Sequence, residues 1–294
     1  MFYLILSILL SAYIGIVFAY FKKYNIDVFQ AIVFNYGVCV LTGSIVLGHF
    51  PIQASILQEP YLKWALLMGC LFISVFNLIG FSSVKVGITI TQTANKLSLA
   101  IPVLFSFLLY GERISLIKII GIILALLAVI LVSYKPSEPS GKRRPIWEYA
   151  LPVILFLSSG IIDTLTKYVQ HTFLTKESVS NIYLITSFLT AFSIGILILI
   201  VLYLTKKKVF NIRFLLAGIL LGVPNYFSIY YLVKALQSDI LSSSAVIPIN
   251  NIGVLFVVSL FGIFIFREKL SRSNYAGLAL TLIAIFLIFL GDQL

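Results

Sequence analysis

The chain is assembled from apolar runs of roughly 20 residues, separated by short polar connections. A helix rises about 1.5 Å per residue, so each run is long enough to cross the ~30 Å hydrocarbon core of a bilayer. Lipid offers no hydrogen bonds, so the backbone must satisfy its own, and continuous apolar runs do that as helices. The composition agrees: 61% of the 294 residues are hydrophobic, 11% are charged, and the mean hydropathy is +1.10. A soluble domain carries about 25% charged residues and has too little interior to hide so much apolar surface. An ordinary soluble enzyme, a disordered chain and a disulfide scaffold are excluded, leaving an all-α integral membrane protein.

Ten spans are predicted, at about 2–21, 28–48, 61–84, 86–110, 115–134, 148–170, 178–204, 211–236, 240–266 and 272–291. The first is read as a retained membrane helix, since no basic residue precedes it and no small-x-small cleavage site closes it. Spans three and four are joined only around Val84–Gly87, which makes them antiparallel neighbours. One stretch has linker composition, KPSEPSGKRRP, at the middle of the chain. It divides the sequence into 1–134, a charged linker 135–147, and 148–294, with five spans on each side.

The two halves resemble each other. Gly15 precedes Lys22 by seven residues, and Gly160 precedes Lys167 by seven. Asn77 lies eight residues before Lys85, and Asn225 nine before Lys234. YGERIS at 110–115 pairs with FREKLS at 266–271, and a glycine, Gly121 or Gly277, stands nine residues beyond each glutamate. Five is odd, so the second copy enters the membrane in the opposite sense. The expected architecture is ten transmembrane helices in two inverted five-helix repeats around a central cavity, as in many secondary transporters.

Net charge is +11. The basic residues stand singly or in short clusters between apolar runs, so they read as topogenic charges facing the membrane surface, not as a nucleic-acid footprint. Fourteen of the 21 lie on loops after odd-numbered spans and five on the other side. The positive-inside rule puts the fourteen in the cytoplasm and both termini outside.

Ionisable and polar groups inside spans carry the functional signal, because inserting a charge there costs about 2.5–3.5 kcal/mol. Lys96 is ten residues into span four, in ITITQTANKLSLAIP; Thr89 and Gln92 share its face, and Thr93 and Asn95 widen it. Such a stripe lines water or contacts other helices. Lys96 is either a cationic lining of a solute cavity or a lysine tied to a carboxylate for packing. Span nine offers Asn250 and Asn251 beside Pro248, and Pro102 lies in span four, so both helices are candidates for a kink. The amides bind solute or serve as interhelical glue. Asn77, Asn225, Tyr226 and Tyr230 in spans three and eight complete the candidate substrate-binding set. Asp163 is the one carboxylate clearly inside a span. It is a coupling group or counter-ion to Lys96, or a local partner of Lys167 four residues on. Small residues in spans five and ten (Gly121, Ala125, Ala128; Gly277, Thr281, Ala284) fit close packing, on each other or in a homodimer.

No catalytic motif is recognisable: there is no HExxH, G-x-S-x-G, Walker loop or Cys-x-x-Cys. His49 and His171 lie at span ends, and Cys39 and Cys70 inside apolar runs read as packing residues. No metal or other cofactor is expected.

The ten spans, the central linker, the repeat and the GERIS and REKLS elements followed by a glycine and an apolar run resemble the EamA-like branch of the drug/metabolite transporter superfamily. The resemblance implies a helical basket whose cavity is lined by spans three, four, eight and nine. It also implies a small-molecule solute, frequently moved outward, a bacterial inner-membrane location and termini inside, opposite to the charge bias. A lysine in span four departs from the mostly uncharged cavity expected of amino-acid exporters and points to an anionic or amphipathic solute. The expectation is a secondary transporter, with a proton or other ion as possible coupling partner. A flippase for a lipid-linked sugar and a non-transporting receptor or assembly subunit are the rivals.

Overall fold

The structure is a computed structural model and describes the whole chain except residues 51–55, 57, 111–114, 134–145, 174–176, 237–242 and 294. GERI of the first repeated motif and nearly all of the central linker lie outside the described residues. Eleven helices are present among the described residues: α1 Phe2–Lys23, α2 Val28–Leu47, α3 Leu62–Val86, α4 Ile88–Leu97, α5 Ala100–Tyr110, α6 Leu116–Ser133, α7 Ile146–Phe173, α8 Glu177–Leu204, α9 Ile212–Leu236, α10 Ser243–Leu260 and α11 Arg272–Gln293. Each predicted span has its helix, and span four has two.

Eight helices are long and apolar enough to cross a membrane, and Leu116–Val132 is a shorter apolar helix. Outward-facing residues are apolar: Ile45, Ile130 and Leu197 are 78%, 63% and 64% exposed. In water such a surface would aggregate; in a bilayer it is the required one. The protein is an integral, multi-pass membrane protein.

The break in span four has a local cause. Proline lacks an N–H, so Pro102 cannot donate to the carbonyl four residues earlier, that of Ser98, and its ring crowds that carbonyl. The helix stops at Leu97 and restarts at Ala100, and the Ser98 carbonyl accepts instead from the Ile101 N–H at 2.9 Å. Pro248, expected to act likewise, leaves α10 unbroken. It is the sixth residue of that helix, so the bond it forfeits falls in the first turn. The irregularity in span nine comes later, as a π-helical turn over Phe261–Ile265.

The helices form two compact units. The first comprises Met1–Ala19, Leu78–Thr164 and Ser228–Leu294, and the second Tyr20–Asn77 and Leu165–Phe227. Each unit draws on both halves of the sequence, and α1, α3, α7 and α9 contribute to both.

In the first unit α6 and α11 run antiparallel. The Ser115 hydroxyl, just before α6, donates to the Gly291 carbonyl at 3.0 Å, and the Asn274 amide at the start of α11 donates to the Val132 carbonyl at 2.7 Å. Between these ends Gly121 lies against Ile288 and Ala284, and Gly277 against Val132 and Ala128. The small-residue stripes of spans five and ten therefore pack on each other. Lipid tails are as apolar as leucine, so close approach of backbones is what holds such helices together. α4 and α10 are also antiparallel: Thr89 meets Gly262 just beyond α10, while Asn251 donates to the Lys96 carbonyl at 3.5 Å.

In the second unit α2 and α8 run antiparallel. Gln30 accepts from the Tyr203 hydroxyl at 2.5 Å, Gly37 lies under Phe192, and Gly43 lies against Ile185. Asp27 caps α2 by accepting from the Gln30 N–H at 3.0 Å, and its other oxygen pairs with Lys208 in the α8–α9 connection.

Candidate functional site

Lys96 occupies the last turn of α4, at the proline-induced interruption. It is half-buried, and among the described residues its ammonium has no protein hydrogen bond and no carboxylate within 4 Å. Asp163 on α7 is exposed and lies within electrostatic reach of Lys96. Asp163 is engaged by a third residue. The Ser98 hydroxyl donates to Asp163 Oδ2 at 2.7 Å and also contacts the Asn95 carbonyl at 2.6 Å. Ser98 was not singled out in the sequence, although it stands four residues before Pro102, where a loosened backbone was to be expected.

Other polar residues of α4 gather near this point. Gln92 is buried, and its Oε1 faces the Asn95 amide at 3.4 Å. Gln92 also lies against Gly15 of α1; a Cβ at position 15 would sit 3.3 Å from Gln92 Nε2. The repeated glycine of span one thus makes room for a candidate site residue. Asn251 docks α10 onto the Lys96 carbonyl. Asn250 is buried one residue away, with its Oδ1 accepting from the Ser7 hydroxyl at 3.1 Å; the same hydroxyl contacts the Ser228 carbonyl at 2.9 Å. Lys96, Gln92, Asn95, Asn250, Asn251 and Asp163 all belong to the first unit. So does Tyr230, half-buried beneath the Lys234 ammonium, 5.6 Å from its ring centroid.

Asn77, Asn225 and Tyr226 belong to the second unit. The Asn77 amide turns back to the Ile73 carbonyl at 2.7 Å. Asn225 is buried and donates to Asn35 Oδ1 at 3.3 Å, with Cys39 Sγ at 3.6 Å, and Tyr226 is packed over Gly43. The Asn77 contact stays within α3, whereas those of Asn225 and Tyr226 join α9 to α2. A depression of about 450 Å³ in the same unit, lined by Glu59, Lys63 and Phe173 among others, includes none of the candidate residues. Among the described residues no group of three His, Cys, Asp or Glu side chains is arranged to hold a metal ion.

Glu268, the glutamate of the second repeated motif, caps a distant helix. Its Oε1 accepts from the Ile88 N–H at 2.5 Å and its Oε2 from the Thr89 N–H at 3.1 Å, at the start of α4.

A multi-pass helical fold thus brings a lysine, a carboxylate and several amides into one compact unit. Residues 1–134 match the EamA-like transporter family, part of the drug/metabolite transporter superfamily. An uncharacterized protein of Haemophilus influenzae is 29% identical over 296 residues, which cover 99% of this chain and 98% of that protein. A protein crystal structure matches 99% of this chain and 97% of its own, with a TM-score of 0.60 at 16% identity, and so shares the fold. The family that residues 1–134 match is one of transporters.

Proposed function

We propose that the protein is a secondary transporter, moving a small polar or amphipathic metabolite outward across a bacterial inner membrane by alternating access of two inverted repeats, 1–134 and 148–294. The antiparallel pairs support the inverted repeat, because each joins a span to its counterpart: α2 with α8, α4 with α10, and α6 with α11. Two copies inserted in opposite senses give this relation directly.

One observation carries the functional reading. Among the described residues the Lys96 ammonium has no hydrogen-bond partner; it sits at a helix interruption, within electrostatic reach of a carboxylate that accepts from the Ser98 hydroxyl. Neither charge is stable against acyl chains. Water or a polar solute between them satisfies both. Lys96 attracts the anionic part of the solute; Gln92, Asn95, Asn250 and Asn251 offer amides to its polar atoms. Asp163 serves as counter-ion in the empty state and as the candidate proton-coupling group.

The test begins with a thermal-shift screen of metabolites against the purified full chain, since a ligand of the folded state raises its melting temperature. Compounds that bind are then tested for uptake into proteoliposomes. Lys96→Ala should retain the melting profile and lose uptake. Wild-type uptake by that variant would remove Lys96 from the site.

A further inference from the structure

Glu268 and α4 are 180 residues apart in sequence, yet the glutamate supplies the cap that α4 lacks locally. The first four N–H groups of any helix have no partner within it. The N-cap position of α4 is Gly87, which has no side chain to offer, and the Glu268 carboxylate takes the first two amides, those of Ile88 and Thr89. Its negative charge also suits the positive end of the helix dipole.

The seat for this carboxylate is built from both halves of the chain. Gly87 has φ +102°, a conformation that side chains disfavour, and a Cβ there would lie 2.5 Å from Glu268 Oε1. Gly262, from the π-helical turn after α10, lies on the other side; a Cβ there would be 2.8 Å from Oε2. The Glu268 N–H donates to the Gly262 carbonyl at 2.9 Å, which ties the carboxylate-bearing loop to that turn. α4 has only 10 residues and spans about 15 Å. Glu268 holds one end, and Lys96 stands in the last turn at the other, where Asn251 and the Ser98–Asp163 bond take hold.

We propose that Glu268 is a positioning residue of the transport site: by capping α4 from the opposite repeat, it sets the orientation and water exposure of Lys96 and couples that residue to movement of the α10–α11 connection. This rests on the reading of Lys96 as the solute-facing cation, but its test requires no solute.

In the full chain, exposed Cys70 is replaced by serine, buried Cys39 is retained, and Lys96→Cys is introduced as a reporter. The rate of its modification by a charged, water-soluble thiol reagent is measured in Glu268→Asp, Glu268→Gln and Glu268→Ala backgrounds. A parallel series carries Thr205→Cys instead, an exposed control position in the other unit. Glu268→Ala and Glu268→Gln should raise the rate at position 96 about fivefold, the equivalent of a typical lost helix cap. Glu268→Asp should restore most of the parent rate, and the control should not change. Equal rates at position 96 across the series overturn the proposal. So does an equal rise at position 205, because that is general loosening. If position 96 responds as expected while Lys96→Ala transports normally, the cap stands and the assignment of Lys96 to the solute fails.

Discussion

The Ser98 hydroxyl donates to Asp163 Oδ2 at 2.7 Å, and Ser98 is also the residue whose carbonyl is left by Pro102 without its ordinary helical partner. A backbone irregularity and a charged side chain are thereby joined at one point, two residues from Lys96. The proline loosens the helix where the serine must turn toward α7.

This relation predicts the effect of restoring the helix. Proline in a helix interior costs about 3 kcal/mol relative to alanine. Pro102→Ala should therefore keep or raise the denaturation midpoint in detergent while lowering uptake in proteoliposomes, since a continuous span four draws Ser98 away from Asp163. Lower stability together with full transport would contradict it.

Removing the hydroxyl and removing the charge should separate. A hydrogen bond to a charged group contributes about 1.5–3 kcal/mol, so Ser98→Ala should lower stability by an amount near that range. Asp163→Asn keeps an oxygen acceptor for Ser98 and should be milder in stability. It should nevertheless suppress transport and abolish any dependence on a proton gradient. Denaturation curves and uptake with and without an imposed gradient provide the two readouts.

The α6–α11 contact leaves no room for side chains at its glycines. A Cβ on Gly277 would lie 2.6 Å from Val132 Cγ2 and 2.9 Å from the Val132 backbone nitrogen. Gly277→Leu should cost at least the ~1–3 kcal/mol typical of overpacking. Because these stripes face each other within one chain, the variant should leave the molar mass in detergent unchanged, as read by light scattering.

At the start of α2, Asp27 serves as both N-cap and ion-pair partner of Lys208. Both side chains are about a quarter exposed, at 26% and 27%, so solvent screens the pair. An exposed ion pair contributes about 0–1 kcal/mol and a lost cap about 1 kcal/mol. Asp27→Asn keeps the capping oxygen and should cost little, with the loss fading in high salt. Asp27→Ala should cost about 1 kcal/mol more at every salt concentration.

Much of the architecture was legible in the chain. Span positions followed from hydropathy because a bilayer demands uninterrupted apolar length. The break near Lys96 was foreshadowed by Pro102 because proline acts on its own helix. Pro248 showed the limit of the same rule: its effect depends on where α10 begins, and hydropathy does not resolve that boundary. Lys96, Gln92, Asn95, Asn250 and Asn251 were chosen for polarity inside apolar spans, and the fold gathers them in one unit. Asn225 meets the same criterion and lies in the other unit, where it donates to Asn35. An amide that binds solute and an amide that binds a neighbouring helix have the same chemistry, so composition does not tell them apart.

By itself the sequence determined that this is a membrane protein, where its helices run, and which segment resembles the transporter family, because these depend on local hydropathy and on motifs read in order. Only the tertiary structure decided that Glu268 closes the start of α4, that Ser98 holds Asp163, and that the small-residue faces of α6 and α11 serve each other. Those relations link residues 65 to 180 positions apart, and a contact across such a separation is set by how helices cross in space, which no local pattern encodes.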